Sequence, residues 1–365
     1  MSQSLDTLIA GLTADVVGDR YRLVLGAQPL ENAEATDMAF VLGKENLATA
    51  QRSAAGILFV QPGTNETLAS READRTFVVT DDPKGAFFTA LARLRPIRER
   101  TRVGRSPHAI IHPNAQIGAR TNVHAGAVIE SGVVIGTDCE IGAGVYIGHD
   151  SRLGDDVQLH PNVVLYHDIR IGDRVTIQAG SVVGADGFGY RQQDGRHLRL
   201  HHFGTVRIED DVDVGACTTI DRALIGETVI GRGTKIDNNV VIAHNCRLGE
   251  HNLLVSQVGF AGSVTTGDNV VCAGQVGVAD HVHIGTGAMV GAKAGVHKNL
   301  AGHQNYLGAP AAPIAEATRS VMALQKLPQL RKTVRDLERQ VAELKASLRE
   351  SGIGNRESEG GMPSR

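Results

Sequence analysis

Residues 129–159 read IESGVVIGTDCEIGAGVYIGHDSRLGDDVQL, with a large aliphatic side chain at 129, 135, 141, 147, 153 and 159. A step of six fits neither the 3.6-residue period of a helix nor the alternation of a long strand. It fits a parallel β-helix, in which short strands turn corners at fixed intervals and three hexads close one coil. The step extends back through Val123, Ile117 and Ile111 and forward through Leu165, Ile171, Ile177 and Val183. Four residues after most of these positions comes a small or β-branched residue, such as Ala127, Val133, Val145, Val157 or Val163. The large residue is expected to point inward and the smaller one to fill the space left beside it. Glycine commonly takes the second place, as in Gly118, Gly136, Gly142, Gly148, Gly154 and Gly172, where it is expected to relax the corner backbone. A single coil cannot bury its own edges, so a long stack is required.

The period breaks after Val183. Residues 184–207, GADGFGYRQQDGRHLRLHHFGTVR, carry rings and cations that no aliphatic ladder accommodates, and they read as a loop of the kind that binds ligands on a solenoid. Hexads return at Ile208, Val214 and Ile220, slip by four residues, and run from Ile230 to Val296. The total is 28 hexads, a little over nine coils. The expected organisation is an α/β domain over 1–105, a left-handed parallel β-helix over 106–305, C-terminal helices over 306–350 and a disordered tail over 351–365.

The α/β domain is read as helices near Leu5–Leu12, Glu45–Ser53 and Pro83–Leu94 and strands near Arg22–Gly26, Met38–Leu42, Gly56–Val60 and Phe77–Thr80. Arg93–Arg105 reads as a basic linker. A C-terminal helix over Ile314–Leu327 is expected to be interrupted by Pro328. Beyond it Leu330, Val334, Leu337, Val341, Leu344 and Leu348 form a short heptad seam that points to self-association.

Composition agrees with a repeat. The chain has 43 glycines and 11 prolines in 365 residues, 4% aromatics and no Trp, so its core must be built from small aliphatic layers. A net charge of −3 argues against a general nucleic-acid binder. No apolar run is long enough to span a membrane, and no basic segment precedes an apolar one at the N-terminus, so a cytoplasmic protein is expected. The four cysteines form no CxxC pair and read as buried, reduced thiols.

GADGFGY (184–190), GACTTIDR (215–222) and IDNNVVIAHN (236–245), in this order on a hexad scaffold behind an α/β domain, resemble the UDP-3-O-acylglucosamine N-acyltransferases of lipid A synthesis. The resemblance implies transfer of a 3-hydroxyacyl chain from acyl carrier protein to the 2-amine of a UDP-glucosamine substrate. It also implies a homotrimer, with no cofactor and no metal. It places the general base on His244, a second active-site histidine on His281, and an oxyanion-facing backbone N–H on Gly262. The family's uracil-binding Phe-x-x-Asn-x-x-Tyr appears here as Phe40, Gly43 and Asn46, so only Phe40 is carried over as a contact.

The chemistry of the residues runs beside that resemblance. Amide formation from a thioester needs a base for the amine proton and donors for the oxyanion, and His is the natural base near neutral pH. His244 holds the third place of its hexad and His281 the fourth place of another. They are 37 residues apart, two coils plus one, which sets them on one face with an axial separation of ~10 Å. Asp237 is expected to orient the imidazole or bind the sugar, and Phe188 and Tyr190 to contact nucleotide-sugar or acyl chain. Seven basic residues (Lys293, Lys298, Arg319, Lys326, Arg331, Lys332, Arg335) face one acidic residue, Glu316, between Val290 and Arg335, which suits an acidic carrier protein. Three alternatives remain at this level. One is a γ-carbonic-anhydrase-like zinc enzyme using His160/His167, His197/His201/His202 or His281/His283. The others are an O-acyltransferase of the same pathway and a non-catalytic spacer.

Overall fold

The computed structural model describes residues 2–68, 74–96, 102–309 and 313–350, and the chain divides into two compact units, 1–101 and 102–365. Residues 97–101 of the expected linker and the whole expected tail, 351–365, lie outside the described residues.

The first unit is built on a five-stranded sheet, in the order Asp15–Val17, Thr76–Val79, Ile57–Val60, Asp37–Phe40, Gly26–Ala27. The last four strands are parallel and the Asp15–Val17 edge is antiparallel. All four residues of the central Ile57–Val60 strand are buried, because the sheet is covered on both faces. Ile57 and Phe59 pack with Leu5, Leu8, Met38, Val78 and Phe87, while Leu58 and Val60 pack with Leu30, Val41, Ala50 and Leu68. The helix Pro83–Leu94 starts where the sequence places it, with Pro83 in the first turn and the Asp82 carboxylate accepting from Gly85 N–H. The expected helix over Glu45–Ser53 splits into a 3₁₀ turn, Lys44–Asn46, and an α-helix, Leu47–Arg52. The strand Asp15–Val17 and the one-turn helix Thr64–Leu68 are too short to carry a periodic signal and were not anticipated.

The second unit is a parallel β-helix with three faces of ten, nine and ten strands. One face stacks Ile111, Ile129, Ile147, Leu165 and Val183 with Ile220, Ile242, Phe260, Val278 and Val296. The hexad count holds, with one further strand at Asn305–Tyr306. The ladder residues and the smaller residues four places on form one continuous buried core. Where the aliphatic rule lapses, at Thr266, the hydroxyl accepts from Gly249 N–H and from the buried Asn252 side chain, so its polarity is satisfied.

The corner is not made as expected. The left-handed residue is the fourth of the hexad, with φ near +60° at Asp138, Asp150, Asn162, Asp168, Asn245 and His281 and at Gly126, Gly132, Gly144 and Gly180. The second-place glycines have ordinary φ and are required for another reason. A Cβ on Gly118 would lie 2.4 Å from Gly136 O, and one on Gly136 would lie 2.4 Å from Gly154 O. At these corners each coil therefore rests main chain to main chain on the next, and the glycines permit the approach.

Four further expectations are corrected. The break after Val183, expected as a loop, has regular structure of its own. It carries an antiparallel hairpin, Tyr190–Gln193 against Arg196–Arg199, closed by Asp194 and Gly195, both at positive φ. An Asp-Gly pair is a standard hairpin turn, but the flanking residues are all exposed and show no alternation to announce strands. Next, Pro328 does not interrupt the C-terminal helix, which runs from Ile314 to Glu350. A proline removes one main-chain bond, and the good helix formers on both sides carry the helix past it. The helices expected over 306–350 are thus one. Finally, Cys139, Cys246 and Cys272 are buried, but Cys217 stands exposed at a left-handed corner.

The two kinds of glycine can be separated by substitution. Gly126→Asn, at a left-handed corner with no neighbour closer than 3.7 Å to the added Cβ, is expected to cost less than ~1 kcal/mol. Gly136→Ala drives a methyl into the next coil and is expected to cost about 1–3 kcal/mol or more. Urea denaturation checks both, and equal losses would refute the close-approach explanation.

Candidate active site

The break in the period and the four-residue slip fall on adjacent coils, and the site is built where they meet. The first strand of the break, Val182–Asp186, pairs with Thr219–Arg222, which pairs in turn with Val241–Ile242. GADGFGY, TIDR and AHN are therefore neighbours in space as well as landmarks in sequence.

Arg222 fastens this junction. It is 2% exposed, and its guanidinium donates from Nε to Gly184 O at 2.7 Å, from Nη1 to His167 Nε2 at 2.6 Å and from Nη2 to His167 O at 2.7 Å. Burial, then the Arg222 charge, push the His167 pKa down, so the imidazole stays a neutral acceptor. His167 also stacks on His149 at 4.9 Å.

His244 is half-buried one coil beyond. Its neighbour Asn245 fixes its tautomer. Asn245 Oδ1 accepts from Leu224 N–H at 2.9 Å and Asn245 Nδ2 donates to Ile225 O at 2.9 Å, so the amide orientation is set by the slip segment. His244 Nδ1 lies 3.1 Å from that oxygen and must carry the proton. The lone pair then sits on Nε2. Gly262 takes the same third place one coil on, and a Cβ there would fall 2.7 Å from His244 Nε2. The glycine leaves room at the basic nitrogen. Among the described residues, Gly262 N–H meets no protein acceptor, whereas the next residue, Ser263, donates to His244 O.

His281 is exposed at the left-handed corner two coils from Asn245, in the column Asn245, Ser263, His281, and its N–H donates to Gly262 O at 3.0 Å. It shares an edge with His244 and Gly262. Asp237 does not join them. Its carboxylate accepts from the Ser256 hydroxyl, Ser256 N–H and Asn238 N–H, which hold its pKa down, and it forms no bond to His244. Phe188 and Tyr190 lie on the insertion, 5.0 Å apart ring to ring, with Phe188 85% exposed. In the first unit Phe40 and Asn46 line one cavity of about 430 Å³ with Pro29, Leu30 and Phe87. The Asn46 amide there donates to Leu42 O. All seven basic residues between Val290 and Arg335 are exposed. Among the described residues, no three His, Cys, Asp or Glu side chains gather as a metal site, and no helix is long and apolar enough to cross a membrane.

Two groups lie near His244 that the hexad period alone does not place there. Asp221, from TIDR, is the carboxyl that feels His244. Burial pushes its pKa up to about 6, with the His244 charge opposing and Asp186 adding to the rise. Counting the 22-residue step from Ile220 to Ile242 as one coil plus the slip would have stacked Asp221 beside Ala243. His202 lies inside the insertion, where no period could place it, yet its ring is 5.4 Å from that of His244.

Residues 108–149, 150–185 and 227–262 match the family described as bacterial transferase hexapeptide (six repeats). The unmatched interval 186–226 holds the hairpin and the slip. A Wolinella succinogenes protein named UDP-3-O-acylglucosamine N-acyltransferase is 53% identical over 135 residues, which are 37% of this chain and 42% of that protein. That match spans less than half of the relative's length. A Syntrophus aciditrophicus protein of the same name is 44% identical over 352 residues, 94% of this chain and 93% of its own. The solved structure of Arabidopsis UDP-N-acetylglucosamine acyltransferase aligns with a TM-score of 0.52 at 26% identity, covering 55% of this chain and 70% of that one.

The raised Asp221 pKa has a sign that can be measured. Below pH ~3 the carboxyl is neutral in both states. Between about 4 and 6 the unfolded chain ionises while the folded protein keeps the proton, so stability falls as pH rises through this window. Asp221→Asn is expected to be more stable than wild type at pH 7.5 and equal to it at pH ~3, by chemical denaturation. A variant less stable at pH 7.5 would show that the carboxylate is held by favourable contacts instead.

Proposed function

Because this chain belongs to the UDP-3-O-acylglucosamine N-acyltransferase family, we propose that it transfers a 3-hydroxyacyl chain from acyl carrier protein to the 2-amine of a UDP-3-O-acyl-glucosamine, with His244 as general base. The observation that carries this reading is the His244 tautomer. Asn245 commits the proton to Nδ1 and leaves Nε2 free beside Gly262.

The reaction follows from that arrangement. The 2-amine attacks the thioester carbonyl, and His244 Nε2 takes the proton the amine must lose. Negative charge grows on the carbonyl oxygen, and Gly262 N–H is the donor for it. The tetrahedral intermediate collapses to the amide and releases the carrier's thiol, protonated by the imidazolium. His281, on the same edge, assists at the oxyanion. Asp237, tied to Ser256, belongs in this reading to sugar binding. Phe188 and Tyr190 supply apolar contact from the insertion, and Phe40 supplies it for the uracil. The exposed basic run from Lys293 to Arg335 steers the acidic carrier toward the C-terminal end of the solenoid. The half-exposed stripe Leu330, Val334, Leu337, Val341, Leu344 and Leu348 suits self-association, but Val alternating with Leu on such a seam nominally favours two strands, so the homotrimer is assigned to the solenoid and the helix follows it.

A transfer assay with 3-hydroxyacyl carrier proteins of graded chain length tests this. Wild type is expected to form amide, and His244→Ala to lose ~10²–10⁴-fold in kcat, the usual contribution of a general base. A loss under tenfold would remove His244 from the role, and stoichiometric zinc in the purified protein would favour the γ-carbonic-anhydrase-like alternative.

A further inference from the structure

His202 is 6% exposed, in the last stretch of the insertion. Its Nδ1 lies 3.2 Å from Leu200 O, so that nitrogen carries the proton and Nε2 carries the lone pair. Among the described residues, His202 Nε2 is one of two buried side-chain polar atoms without a hydrogen-bond partner, the other being the hydroxyl of Ser4 in the first unit. A buried acceptor left unmade costs as much as a lost hydrogen bond, so its retention calls for a ligand or a strain account.

Its surroundings favour a ligand. The point where a Cβ on Gly187 would stand is 2.8 Å from His244 Cδ2 and 3.0 Å from His202 Nε2, so the unpaired nitrogen faces the space beside the His244 ring. Gly189 closes the other side, with its Cβ point 2.8 Å from His202 Cε1. Phe188, between these two glycines, points to solvent. Two residues without side chains thus cover the nitrogen with a thin flap of main chain. Burial first, and the nearby His244 in addition, push the His202 pKa down against the Leu200 carbonyl, so a neutral donor is the matching partner and a carboxylate is not.

We propose that His202 Nε2 is a substrate-contacting group of this site that accepts a hydrogen bond from a hydroxyl of the bound substrate, admitted when the Gly187–Gly189 flap lifts. The inference rests on the acyltransferase reading above. A hydroxyl can come from the 3-position of the acyl chain or from the glucosamine ring, and the two sources are separable.

The test compares wild type, His202→Leu and His202→Gln, with melting temperatures, in kcat/KM for carrier proteins loaded with a 3-hydroxyacyl or a plain acyl chain of equal length. Leucine is expected to lose about tenfold or more, and glutamine, which keeps an acceptor oxygen, to stay within about threefold of wild type. If the acyl hydroxyl is the partner, wild-type preference for the hydroxylated donor collapses in His202→Leu. If the sugar hydroxyl is the partner, both donors fall together. Equal losses in leucine and glutamine, or no loss in either, overturn the proposal. Should His202→Leu fail to fold, ¹⁵N-histidine spectra of wild type decide. The unprotonated His202 Nε2 resonance is expected to move on adding UDP-glucosamine substrate or acyl donor, and no movement with either overturns the assignment. A wild type without transfer overturns the acyltransferase reading and this inference with it.

Discussion

The structure depends on main chain resting directly on main chain. Successive coils stand one strand spacing apart, ~4.8 Å, and at the second-place glycines Gly118, Gly136 and Gly231 even a Cβ would strike the carbonyl of the next coil. A stack held this closely cannot absorb an extra residue within a coil. Anything that departs from the period must leave the stack as a whole. The chain does this twice. The step from Ile171 to Ile208 is 37 residues and that from Ile208 to Ile230 is 22, yet all three stand in register on one face. The surplus is expelled at corners, as a hairpin in the first case and a short bend in the second.

The expelled residues are where polarity enters. The core is mainly aliphatic, and against it the junction holds Arg222, Asp221 and His202, groups that are costly to bury without partners. Arg222 is fully engaged, and it closes the base of the insertion by binding both Gly184 and His167. Asp221 is left with a raised pKa, and His202 with an unpaired nitrogen. A stabilising core would have eliminated both. Perturbed groups collected at one place on an otherwise uniform solenoid mark a site more firmly than any single motif.

The period alone carried the scaffold. Ile129 to Leu159 defines the coil, and every ladder residue counted from it is found on its face, because six-residue spacing leaves no second solution. The same counting sets His244 and His281 on one edge, and the family resemblance adds Gly262 between them. It failed wherever a residue is positioned by something other than the period. Asp237 sits in the regular ladder and was drawn toward His244 by nearness in sequence, but the carboxyl that feels His244 is Asp221, displaced from view by the slip. His202 was counted only among possible metal ligands, since an insertion has no register. The second-place glycines were seen but given the wrong cause, because sequence shows which residue is absent of a side chain and not what stands against it. Pro328 was read as a stop where local helix propensity on both sides prevails.

The slip also explains how the His244 ring is held. In an unbroken hexad the residue after His244 would meet only the repeating corners above and below. Here the segment Ala223–Gly226 is extra, and its two peptide groups, Leu224 N–H and Ile225 O, grip the two ends of the Asn245 amide. That grip turns Oδ1 toward His244 and settles which imidazole nitrogen holds the proton. Were the amide reversed, its NH₂ would face Nδ1 and draw the lone pair there, away from Gly262. Four residues that look like an error in the repeat thus orient an asparagine, which orients a histidine. The break in the period is the part of the fold that sets the proton.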